Sequence, residues 1–288
     1  MTKRAVIITT SVLVAIMMAI TILFGVVFRV RQITFVYDDD FVYKNQVQDI
    51  LTSSQLTKNI SIFELERDRI EQNIEANYPY VKARVNLSSL TSVKITLSNR
   101  TPLYYFVQDN IYYILDEDCK VLNVSTDLDD TSSCILLNNV FNATESTTAG
   151  QFLTNKYSNI CTDLYKQIYS NAVLNIGEDI DEDGELDEKY LDRQDMVEII
   201  KNIQFAKVVD LSGKLDKLVM TTSYGINITV IDPQVNLGHK INSVFSALRT
   251  IIKNDKLNET DFATKGSINV VYTYDANQKQ TTICEYRV

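Results

Sequence analysis

Val81-Lys82-Ala83-Arg84-Val85-Asn86-Leu87 and Val93-Lys94-Ile95-Thr96-Leu97-Ser98 are the two stretches on which the reading of the fold turns. Apolar and polar residues alternate along both, and a period of two sets one face of a strand on a core and the other in water. A polar run at residues 88–92 joins them, so they read as a hairpin. Working back, Pro79 closes a helix over residues 66–77, carried by Ile70 and Ile74 at helical spacing. Ser61 and Glu64 fit a capping box, which leaves the start of that helix open. Val47, Ile50 and Leu51 mark a shorter helix over residues 44–53, and Gln32-Ile33-Thr34-Phe35-Val36 alternates as a strand. The order strand, helix, helix, strand, strand is that of a small α+β unit ending near Arg100.

Working forward, the chain turns strand-rich beyond Pro102. Residues 103–107 and 111–115 meet at a turn around Asp109 and Asn110. Tyr157, Ile160, Cys161, Leu164, Tyr165, Ile168 and Tyr169 form a continuous helical stripe. An acidic stretch over residues 178–195 follows. Met196, Ile199, Ile200 and Ile203 then predict a helix over residues 193–204. Residues 215–221 and 226–230 read as a hairpin about Tyr224 and Gly225. Ile241, Val244, Phe245, Leu248, Ile251 and Ile252 mark a last amphipathic helix. Two strands, 268–274 and 280–286, close the chain around a turn at residues 275–277.

Residues 5–28 carry no charge. As a helix they would reach roughly 36 Å, enough to cross the hydrocarbon core of a bilayer with some tilt. A cleaved signal peptide has a shorter apolar region and a small-residue exit. Here the exit is Gly25-Val26-Val27-Phe28, so an uncleaved anchor is expected, with residues 1–4 as a cytoplasmic tail. Two basic residues on each side of the span balance one another. The expected orientation, N-terminus inside, rests on the tail being too short to act outside. Of the 28 basic residues four flank the span, which leaves 24 against 37 acidic ones, a net −13. So acidic a surface repels nucleic acid phosphates and points to protein partners. The four cysteines, Cys119, Cys134, Cys161 and Cys284, permit three pairings among which spacing does not choose. Cys161 lies on the apolar stripe, where a buried thiol is expected.

Three stretches carry a resemblance to a known family. Asn59-Ile60-Ser61-Ile62-Phe63-Glu64-Leu65, running on to Pro79-Tyr80-Val81-Lys82-Ala83-Arg84-Val85, is the first. Val93-Lys94-Ile95-Thr96-Leu97-Ser98-Asn99-Arg100-Thr101-Pro102 with Tyr112-Tyr113-Ile114-Leu115-Asp116 is the second. The third is Gly150-Gln151-Phe152-Leu153 with the helix over residues 240–252 before the terminal hairpin. In these the chain resembles the bacterial division proteins FtsQ and DivIB, though Cys119 stands where that family carries a glycine. The resemblance implies a transmembrane helix at residues 5–28, a POTRA domain (β-α-α-β-β) at 29–100, and a mainly β domain with packed helices at 101–288. It also implies a non-enzymatic bitopic scaffold at the division septum, recruiting FtsB/DivIC- and FtsL-like partners that govern septal peptidoglycan synthesis. Such a protein is single-pass and type II, cytoplasmic at its N-terminus and extracytoplasmic in its bulk.

The resemblance further implies a partner seated on the terminal strand, at Thr281, Thr282, Ile283, Cys284, Glu285 and Tyr286. A last strand at a sheet edge exposes unpaired N–H and C=O groups to which another chain can add. The plainer alternative is that this strand only completes the core. No cofactor is expected. Asp179, Asp181, Asp183, Gly184 and Asp187 match positions 1, 3, 5, 6 and 9 of a calcium-binding loop, but Tyr190 stands where the bidentate glutamate belongs. A solvated acidic insertion is the plainer reading of this stretch. His239 is the one histidine, so triads and metal clusters have a single base to draw on. Asn59-Ile60-Ser61, Asn142-Ala143-Thr144 and Asn258-Glu259-Thr260 would suit a type II surface glycoprotein, although Asn99 and Asn227 head similar triplets in or beside strands. A POTRA-containing membrane-anchored protein of transport or sporulation would share the first domain and lack the terminal hairpin.

Overall fold

In the computed structural model the described residues are 3–22, 27–144, 146–171, 173–174, 189–190, 193–210, 213–223, 225–255, 266–274 and 280–287. They form a mixed α+β chain of sheets and six α-helices, divided into two compact units, Met1–Arg100 and Thr101–Val288. Lys3–Ile22 is the first helix, α1, and its described side chains, residues 11–22, are all exposed. Among the described residues no helix is long and apolar enough to cross a membrane. Of the far end of the apolar run expected to be helical to Phe28, residues 23–26 lie outside the described residues and Val27 is in a π-helical turn. Phe28 packs against the core of the first unit and lies edge-on to Phe63 at 5.6 Å. Its carbonyl accepts the Ile62 N–H at 3.0 Å.

Downstream, the first unit runs β1 (Gln32–Tyr37), α2 (Val47–Ser53), α3 (Arg67–Asn77), β2 (Val81–Ser89) and β3 (Ser92–Asn99). Its sheet has the order β1-β3-β2, with β1 parallel and β2 antiparallel to the central β3. The alternation now has its cause. Val81, Ala83, Val85, Val93, Ile95 and Leu97 are buried with Ile50, Ile70 and Ile74 of the two helices. Ser61 caps a single 3-10 turn, Ile62–Glu64, in which its hydroxyl accepts the Phe63 N–H at 3.4 Å, and Glu64 is the last residue of that turn. The α3 helix starts three residues later.

In the second unit β4 (Tyr104–Gln108), β5 (Ile111–Leu115) and β6 (Val121–Ser125) form a meander, followed by β7 (Ile135–Asn138) and α4 (Ser158–Asn171). Two short strands, β8 (Val173–Leu174) and β9 (Lys189–Tyr190), pair antiparallel. Then come α5 (Arg193–Ile199), β10 (Ile200–Asp210), β11 (Gly213–Thr222), β12 (Asn227–Ile231), α6 (Leu237–Asp255), β13 (Ser267–Tyr274) and β14 (Gln280–Arg287). Nine strands make one sheet in the order β14-β13-β12-β11-β10-β7-β4-β5-β6. The buried stripes of α4 (Ile160, Cys161, Leu164, Ile168) and α6 (Ile241, Val244, Phe245, Leu248) share one core with Leu218, Met220, Ile228, Val230, Ile268 and Val270. Tyr169, the last residue of the predicted stripe on α4, is exposed instead.

The helix expected over residues 193–204 is corrected. It stops at Ile199, and residues 200–204 belong to β10. Asn202, Ile203 and Gln204 pair with Leu136, Leu137 and Asn138 of β7 on one side and with β11 on the other. Ile200 and Ile203 fit helical spacing with Met196 and Ile199, but they are β-branched and suit a central strand that has neighbours on both sides.

Candidate partner-binding edge

A sheet edge accepts another chain only where its outward N–H and C=O groups are unguarded. The two larger sheets have four edges between them. On β2 the outward N–H groups are taken by carboxylates of α3: Ala83 donates to Glu75 Oε1 at 3.0 Å and Val85 to Glu71 Oε1 at 2.6 Å. On β6 the backbone of residues 150–151 lies alongside, where Gly150 donates to the Val121 carbonyl and Val121 to the Gln151 carbonyl, both at 2.8 Å. The strands β1 and β14 are the other two ends of these sheets. The β1 edge is six residues long and β14 eight. Shortness is itself a protection for an edge.

All six candidate residues, Thr281, Thr282, Ile283, Cys284, Glu285 and Tyr286, lie on β14. They pair in register with Thr273, Tyr272, Val271, Val270, Asn269 and Ile268 of β13. Ile283 is 49% exposed and Glu285 is also exposed. These two positions share one face of the strand because side chains repeat every second residue. The α6 helix packs along β13 and β14 and supports the edge from behind. That helix is held by a device the sequence did not reveal. Buried Lys240 on its first turn donates from Nζ to the carbonyls of Ile231 at 2.8 Å and Asp232 at 2.6 Å, at the end of β12. Burial lowers its pKa, and the nearby Asp232 carboxylate opposes that shift.

The other sequence candidates lie elsewhere. His239 is exposed on the first turn of α6. Asp179, Asp181, Asp183 and Asp187, with Gly184, lie outside the described residues, while their flanks are joined by β8 and β9. Tyr190, in the place of the twelfth loop ligand, is the last residue of β9. Cys119, Cys134 and Cys161 are buried free thiols. Cys119 and Cys161 meet inside the second unit, beneath the Tyr104 hydroxyl, which donates to the Cys161 carbonyl at 3.0 Å. The Asn99 amide is occupied, since Nδ2 donates to the Asp40 carbonyl at 3.0 Å and Oδ1 accepts the Val42 N–H at 3.1 Å. A glycan on Nδ2 would compete with its bond to Asp40.

A scan against protein-family models finds none that matches the chain, and a search of curated proteins returns no match.

Proposed function

We propose that the chain is a non-enzymatic, single-pass membrane scaffold of the FtsQ/DivIB kind. It is anchored by α1, carries a POTRA module in the first unit, and offers β14 to a partner strand. The observation that carries this reading is the place of β14 at the open end of a nine-stranded sheet, with Ile283 exposed. Three features support the rest. The sequence carries no charge from residue 5 to residue 28, a run that as a helix would reach roughly 36 Å, enough to cross a hydrocarbon core. The first unit has the β-α-α-β-β order. The second places its terminal hairpin at the sheet edge, where main-chain pairing supplies affinity and alternate side chains supply selectivity. The partners are FtsB/DivIC- and FtsL-like single-span proteins at the division septum, with the bulk of this chain outside the membrane.

The test uses an alternation of the antiparallel ladder. Successive residues of β14 direct their N–H groups by turns to β13 and away from it. Of Ile283→Pro and Cys284→Pro, one therefore removes a donor aimed at the partner and the other a donor aimed at β13. Pull-downs of the full chain from membranes should lose the partner with the outward-acting variant while its circular dichroism matches wild type. Retention of the partner by both variants would exclude β14 as the docking edge.

A further inference from the structure

The segment leaving α1 is flanked on both sides by loops of the first unit. On one side Asn59 donates to the Val30 carbonyl at 2.8 Å, Val30 to the Ile60 carbonyl at 2.9 Å and Ile62 to the Phe28 carbonyl at 3.0 Å. On the other, the Thr91 carbonyl in the β2–β3 turn accepts Arg31 N–H at 2.8 Å and Gln32 N–H at 3.3 Å. Three exposed apolar side chains stand next in sequence to residues in these bonds: Val27 (39% exposed) beside Phe28, Phe63 (59%) beside Ile62 and Leu90 (62%) beside Thr91. Each is an unfavourable thing to leave in water, and all three belong to the end of the first unit at which the chain enters its sheet. Exposed Arg29 and Arg31 lie on the entering segment, with Arg29 Nη1 donating to the Asn59 carbonyl at 3.2 Å.

The chain itself names the occupant. Val27 lies five residues beyond Ile22, the end of α1, so covalent geometry keeps it within about 18 Å of the helix end whatever the path between. If α1 spans the bilayer, this end of the sheet lies at the headgroup boundary. There apolar side chains bury in the upper acyl region and arginines reach the phosphates. We propose that Val27, Phe63 and Leu90 form an apolar rim that rests in the lipid interface around the emergence of α1 and seats the first unit on the membrane. The inference rests on α1 being a transmembrane anchor. The opposite end of the same sheet supplies a built-in contrast. Val42 is 75% exposed but bonds to Asn99 at the far end of β3, eight residues and roughly 26 Å from the rim.

The chain contains no tryptophan, so one introduced indole reports one place. Four full-length variants, Leu13→Trp in mid-α1, Phe63→Trp, Leu90→Trp and Val42→Trp, are reconstituted into phosphatidylcholine vesicles brominated at defined depths along the acyl chains. Emission from L13W should be lost most with bromines near the chain ends. F63W and L90W should be blue-shifted and quenched most by bromines near the glycerol, with V42W unquenched. Quenching of L13W with F63W and L90W behaving like V42W overturns the rim and leaves the anchor standing. Failure of L13W to quench removes the anchor, and the rim with it. A blue shift in F63W without bromine quenching means that this end of the unit docks on protein, such as a second copy of the chain, and also overturns the proposal.

Discussion

Cys119 has φ 60°, a left-handed backbone that glycine adopts freely and a β-carbon resists. Its turn is held by the buried Asp116 carboxylate, whose Oδ1 accepts the Asp118 and Lys120 N–H groups at 2.9 and 2.8 Å. The thiol is pushed well above its ordinary 9.0 by its hydrogen bond to Cys161 and by burial, and burial pushes the Tyr104 phenol well above 10.0. Both groups stay protonated in the folded chain at pH values where the unfolded chain ionises them. The unfolded state then binds fewer protons, so their stabilisation is complete below those ordinary values and is lost as pH rises past them. Urea unfolding from about pH 8.5 to about pH 10.5 should show stability falling by up to about 1.4 kcal/mol per pH unit for each group. The double variant Tyr104→Phe with Cys119→Ala should flatten that slope, and an unchanged slope would contradict the assignment. The burial of Cys161 is legible from its place on an apolar stripe. Its meeting with Cys119 is not, because the two residues belong to different elements and no local pattern links them.

At the scale of elements, the guarded edge of β2 shows how a helix can close a sheet. Glu71 and Glu75 lie one turn apart on α3, so both carboxylates reach the same strand. Glu75 does a second task. Its Oε2 pairs with Arg100 Nη2 at 3.0 Å, both groups buried, while Arg100 Nε donates to the Val81 carbonyl at 3.3 Å. Removing one member of a buried ion pair strands the other charge away from water. Glu75→Ala should therefore lower stability by about 3–5 kcal/mol in urea unfolding. A loss below about 1 kcal/mol would place the pair among the weak surface type. The two strands of this hairpin are legible because alternation is a local property. The guard is not, since a glutamate on a helix reads as solvated until the neighbouring strand is in place. The misreading of residues 200–204 has the same root, because helical spacing and alternation overlap where Ile203 and Phe205 follow Ile199 and Ile200.

Across the whole molecule two buried clusters divide the work. Thirteen buried apolar residues, Val30 through Leu97, make the first core, and a larger set from Leu103 through Val270 makes the second. Among the described residues none belongs to both. A unit with its own core and its own sheet holds most of what folding requires. Residues 101–288 produced without the first hundred should accordingly unfold in a single cooperative transition and retain the far-UV spectrum expected of a nine-stranded sheet with helices. A fragment that unfolds without cooperativity would show that the second unit depends on the first.

By itself the sequence determined the order and kind of most elements, the apolar run at the N-terminus, and the terminal strand as a place to look. Those features follow from periodicity and charge, which a chain carries locally. Only the tertiary structure decided which strands are edges, which edges are guarded by Glu71, Glu75 and residues 150–151, and that the loops before Phe63 and after Leu90 both bond to the segment at residues 28–32. Hydrogen-bond partners in a sheet and neighbours on a surface are chosen between residues far apart along the chain, and no local pattern encodes that choice.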